Sequence, residues 1–101
     1  MNYILSWDIT AIDSYIDECE FILLKWNIKE VEKFKRIVEE NLERLSKNPR
    51  TGIYNSNYQV YYLVISKRTT LYYSINDDIM KIELHLFWNN QKNPDELKKL
   101  L

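Results

Sequence analysis

Glycine is almost missing from this chain of 101 residues: Gly52 stands alone, and the only prolines are Pro49 and Pro94. That scarcity excludes a glycine-rich loop cradling phosphate and argues against long flexible connections. Cysteine is equally sparse. Cys19 has no partner, so no disulfide can form within the chain, a usage that fits a reducing compartment. At helical spacing Cys19 reads as a small buried residue; as a nucleophile it would need a base, and His85 is the only histidine. One His and one Cys, without paired carboxylates at ligand spacing, argue against zinc. No metal and no cofactor is expected. No apolar run approaches the roughly 20 residues of a membrane span, and Met1 to Trp7 is too short and lacks the basic start of a signal peptide. The expected location is the cytoplasm. The formal net charge is −1, without the basic stripe of a general nucleic-acid binder.

What is present is an ordinary globular composition, 46% apolar and 29% charged, in a length that makes one domain over residues 1–101. The strongest local signal runs from Tyr58 to Pro94. Tyr58 to Ile65 is almost unbroken apolar and aromatic, and Ser66 to Arg68 interrupts it. Thr69 to Ile75 is β-branched and aromatic, and Asn76-Asp77-Asp78 makes a turn. Ile79 to Trp88 then alternates, with Met80, Ile82, Leu84, Leu86 and Trp88 on one face and Lys81, Glu83, His85 and Phe87 on the other. A period of two joined by connections this short predicts an antiparallel three-stranded meander. Tyr3 to Ser6 can add a strand at the sheet edge.

Two helices precede the meander. Asp8 or Thr10 caps the first, in which Ile9, Ile12, Tyr15, Ile16, Cys19, Ile22 and Leu23 recur at spacings of three and four. Asn27 caps the second, with Glu30 at its third position. Val31, Phe34, Val38, Leu42 and Leu45 form its apolar face, and mixed charge from Lys29 to Glu43 reads as a solvated one. It stops near Asn48-Pro49, and Gly52 is expected to permit a tight bend into the sheet. Asn93-Pro94-Asp95-Glu96 starts a short C-terminal helix. The fold class is therefore α+β, two-layer: an N-terminal helical hairpin packed on a three- to four-stranded antiparallel sheet, with a short C-terminal helix.

With Trp88 placed inward, the outer sheet face carries Lys81, Glu83, His85 and Phe87, then Thr70, Tyr72 and Ser74, then Val60, Tyr62 and Val64. An uncovered aromatic face of this kind marks a partner site, or else a set of half-buried cross-strand pairs. Cleaving a phosphodiester needs a base, an acid and cations for the developing charge. His85 and Tyr72 are the candidates for proton transfer. Lys67, Arg68, Lys81, Lys92 and Tyr62 are the candidates for target or phosphate contact.

The chain resembles the RelE/ParE superfamily, the toxins of type II toxin–antitoxin modules. The resemblance lies in Trp7, Ala11 and Tyr15-Ile16, in Lys33-Phe34, in Leu45 through Asn48-Pro49 and Gly52, in Leu63 to Lys67 with Thr70 to Tyr73, and in Leu86 through Pro94. It covers nearly the whole chain and implies a helical hairpin against an antiparallel sheet. Relatives commonly end the last strand with an Arg where this chain has Gln91 followed by Lys92, and often place an Arg early in the second strand, where this chain reads Gln59-Val60-Tyr61-Tyr62. The family's ribosome-dependent nucleases are usually strongly basic, whereas this chain is slightly acidic. Fewer cations mean weaker phosphate attraction. The resemblance thus implies a toxin that binds an essential target, as the gyrase-poisoning branch does. The alternatives are a metal-independent, ribosome-dependent mRNA endonuclease and an inactive relative that only binds antitoxin. All three imply a small cognate antitoxin, partly disordered alone, that joins the toxin in a hetero-oligomer.

Overall fold

The computed structural model describes residues 2–101. In chain order the elements are β1 (Ile4–Trp7), α1 (Ile9–Lys25), α2 (Ile28–Lys47), a 3-10 turn (Pro49–Thr51), β2 (Ile53–Asn55), β3 (Val60–Val64), β4 (Thr69–Asn76), a second 3-10 turn (Asp77–Ile79), β5 (Lys81–Asn89) and α3 (Pro94–Leu100). The helix starts follow the caps read from sequence. Asp8 Oδ1 accepts from Ala11 N at 2.9 Å, Asn27 Oδ1 from Glu30 N at 3.0 Å, and Asn93 Oδ1 from Asp95 N at 3.0 Å.

The sheet has five strands in the order β1-β5-β4-β3-β2. The meander β3-β4-β5 is antiparallel as expected, and β1 joins its edge in parallel with β5. The additional strand is β2, three residues paired antiparallel with β3. Three residues carry too little alternation to be seen in a sequence. Left-handed backbone at Gln59 (φ 57°) and Met80 (φ 50°) turns the chain into β3 and β5.

Both helices and one sheet face share a single core. Ala11 and Ile22 of α1 and Val31, Phe34, Val38, Leu42 and Leu45 of α2 meet Leu71, Tyr73, Ile82, Leu84 and Phe87. The inward row of α1 is Ala11, Glu18 and Ile22, buried, with Tyr15 half-buried among them. Ile9, Ile12, Ile16 and Leu23, expected on the same inward face, point to solvent.

Two further expectations are corrected. Gly52 is extended (φ −78°, ψ −176°), so it makes no bend that needs glycine. It is there for closeness: a Cβ would lie 2.5 Å from both Tyr62 O and Tyr73 Oη. The second correction concerns β5. Tyr72 pairs with Leu86 and Tyr73 with Leu84, leaving His85 as an unpaired bulge residue. The bulge reverses the alternation. Before it, Ile82 and Leu84 face the helices; after it, Phe87 does, stacking on Trp7 with ring centroids 5.3 Å apart. Leu86 and Trp88 therefore face outward, and α3 covers them through Leu97 and Leu101, with Tyr58 and Tyr72 alongside. The outer face around Leu86 and Trp88 is thus covered by the chain's own C-terminal helix, while Val64 at the end of β3 stays exposed.

Candidate functional site

The bulge places His85 at the centre of a hydrogen-bonded row that runs from the N-cap of α1 across β5 to β4. Asp8 follows β1, and its backbone N–H reaches Leu84 O at 3.1 Å, which sets its side chain beside His85. Asp8 Oδ2 lies 2.9 Å from His85 Nδ1, and Ser74 Oγ of β4 lies 2.7 Å from Nε2. A carboxylate only accepts, so Nδ1 carries the proton, and in the neutral ring Nε2 accepts from the Ser74 hydroxyl. The second oxygen of Asp8 is held by the first turn of α1. The imidazole is therefore fixed in tautomer and orientation, and Nε2 is the atom able to take up or give a proton.

Beside that row lie one acid and one cation. Glu83 pairs directly across from Ser74, and the nearby Lys81 Nζ is directed to Glu83 Oε1 at 4.0 Å. Tyr72 occupies the adjacent outward position on β4, its ring 6.1 Å from that of Tyr62. Burial, and then the neighbouring Tyr58 and Tyr62, raise the Tyr72 hydroxyl above its ordinary range, so it is a proton donor and not a base at neutral pH.

The remaining predicted residues gather elsewhere, at the end of the sheet where β5 stops. The Arg68 guanidinium lies 4.1 Å over the Trp26 ring. Asn90 N donates to Arg68 O at 2.7 Å and Asn90 Nδ2 to Lys67 O at 3.4 Å, tying the β3–β4 turn to the exit of β5. Asn89 Oδ1 accepts from Gln91 N at 2.9 Å. Lys92 and Gln91 border a cleft with Asp17 and Glu18. The structure thus divides the candidates into His85, Tyr72, Lys81 and Tyr62 on the outer face, and Lys67, Arg68, Gln91 and Lys92 at the sheet end.

Three residues that the sequence reading did not single out for a site complete these groups. Asp8 read only as a cap and Ser74 only as an outward strand residue, and nothing local announces their meeting with His85. Glu18 is buried and accepts from Thr69 Oγ1 at 2.8 Å. Burial raises its carboxyl above the usual range, opposed by the Thr69 and Asn89 bonds and by Lys92 and Arg68. Its signal was present: Glu18 continues the Ala11–Tyr15–Ile22 row at spacings of three and four. Burial also pushes the Cys19 thiol up, away from a reactive thiolate. Among the described residues no group of His, Cys, Asp and Glu is placed to hold a metal ion, and no helix is long and apolar enough to cross a membrane.

No family model matches the chain, and no curated protein matches it in sequence. Solved structures do. The chain is similar to the toxin–antitoxin complex RelBE2 from Mycobacterium tuberculosis, with 16% identity and a TM-score of 0.63 over 89% of this chain and 100% of that one. It is similar to a double arginine-to-alanine mutant of the E. coli toxin RelE in the free state, with 15% identity and a TM-score of 0.62 over 100% of both chains. The architecture is therefore a RelE-like α+β fold, here with a five-stranded sheet.

Proposed function

We propose that this chain is the toxin of a type II toxin–antitoxin pair, that it arrests growth by binding an essential protein target such as gyrase, and that a cognate antitoxin neutralises it. The RelE-type fold supports the class. The observation that carries the mode of action is the charge around His85. Asp8 and Glu83 flank it, Lys81 is turned to Glu83, and Lys67, Arg68 and Lys92 stand at the other end of β5. A site that cleaves RNA must gather cations where the phosphorane forms. This one sets two carboxylates, Asp8 and Glu83, beside its only imidazole, with Lys81 turned to Glu83, and so gathers no excess of cations to draw a polyanion.

Production of the chain without its partner should arrest growth while mRNA from the same cells stays uncut in primer extension. Purified chain should inhibit supercoiling if gyrase is the target. A second reading, the ribosome-dependent mRNA endonuclease, is favoured by the aligned Asp8–His85–Ser74 row alone. In that reading His85 moves the proton, and codon-position cuts would accompany arrest.

A further inference from the structure

Helix α1 carries two apolar rows, and the fold uses one. The unused row is Ile9, Ile12, Ile16 and Leu23, which remain 76%, 44%, 48% and 46% exposed. It continues into a groove of about 320 Å³ between α1 and α2, lined also by Cys19, Ile28, Val31 and Lys35. Asp13, Asp17 and Glu20 run parallel to the row at spacings of four and three, all exposed. None of the ion pairs among the described residues engages them. The helix's only cation, Lys25, is drawn to the far end over the rings of Phe21 and Trp26, at 5.5 and 4.9 Å. The result is an apolar seam bordered along α1 by three carboxylates that make no ion pair, with Lys35 of α2 in the groove beside Glu20 and Lys92 in clefts beside Asp13 and Asp17.

We infer that this face of α1 docks a basic amphipathic helix of a partner protein. Its apolar side chains would lie along Ile9, Ile12, Ile16 and Leu23, and a row of Lys or Arg would face Asp13, Asp17 and Glu20. Charge selects this occupant. A second copy packed antiparallel about Ile16 sets Asp13 and Glu20 of both copies against each other. Anionic lipid and nucleic acid are repelled by the same edge. The inference rests on the toxin reading and deepens it: it gives the sign of charge on the antitoxin segment that covers α1.

The test uses the intact chain and two synthetic peptides of about 18 residues, long enough to span α1. Both carry the same leucine seam; one is flanked by lysines and the other by glutamates. Fluorescence anisotropy should show the lysine peptide binding at least roughly tenfold tighter at low salt, with the gap narrowing as salt rises. Asp13→Lys/Asp17→Lys/Glu20→Lys should reverse the preference, and Ile12→Ser/Ile16→Ser should remove binding of both peptides. Equal binding of the two peptides, or an unchanged preference in the triple variant, overturns the inference. So does a dimer that Ile16→Ser dissociates, or capture of the chain on phosphatidylglycerol vesicles. Growth arrest by the free chain is read separately. Arrest without peptide discrimination removes only the docking face, and discrimination without arrest removes only the toxin reading.

Discussion

Asp8 and His85 meet at 2.9 Å although 77 residues separate them in the chain. One carboxylate thereby does two jobs: it caps α1 through Oδ1 and fixes the imidazole through Oδ2. Asp8→Ala should cost about 1–2 kcal/mol, the range of a lost N-cap. Asp8→Asn keeps a capping oxygen and should cost clearly less. Urea denaturation of the two variants separates the jobs, and equal losses would deny the cap its share.

The Tyr73 hydroxyl is a second such junction. It is fully buried, donates to Pro49 O at 2.7 Å and accepts from Gly52 N at 3.1 Å. Tyr73→Phe leaves both partners without a bond and should destabilise by about 1–3 kcal/mol. Gly52→Ala drives a methyl into Tyr62 O and Tyr73 Oη and should cost more than about 2 kcal/mol. Combining it with Tyr73→Phe relieves only one of the two clashes, so thermal melts should show at most partial rescue.

Glu18 gives a pH signature. Its carboxyl is raised in the folded chain, chiefly by burial. Folding therefore favours the protonated form. The stability this contributes is present below the unfolded carboxyl value and is lost as pH rises through the folded one. Glu18→Gln keeps an acceptor for Thr69 and cannot ionise. Its stability relative to the parent chain should improve as pH rises from the ordinary glutamate value through the raised one. A difference that is flat across that range would show that Glu18 does not titrate in this way.

Helix α3 should be indispensable to the outer face. Trp88 and Leu86 are 5% and 2% exposed because Leu97 and Leu101 lie over them. Trp88→Ala should cost about 3–5 kcal/mol, and ending the chain at Asn93 should expose an apolar surface that binds ANS. A truncated chain as stable as the full one would return the outer face to solvent.

Most of the fold was legible because it depends on local signals. Asp8, Asn27 and Asn93 announce their helices by capping chemistry, and β3 to β5 announce themselves by β-branched and aromatic runs. The errors have one kind of cause: positions where a neighbour distant in sequence decides. The bulge at His85 breaks a period that looks continuous from Met80 to Trp88, so Phe87 and Trp88 exchange faces. Gly52 is required by Tyr62 and Tyr73, not by its own backbone angles. In α1 the isoleucines drew attention away from Ala11 and Glu18, which the sheet buries. The candidate site was half legible for the same reason. His85 stood out as the only histidine, but its partners are the N-cap of α1, Asp8, and Ser74 of β4, and periodicity cannot show such meetings.

The claim that this RelE-type fold works by binding and not by cutting is tested most directly with His85→Ala. The variant is produced alone in cells, with its folded state checked by circular dichroism, and growth is followed alongside primer extension on cellular mRNA. Binding predicts arrest as complete as with the parent chain, and uncut message in both. A folded His85→Ala chain that no longer arrests growth, set against a parent that arrests growth and cuts mRNA, would contradict it.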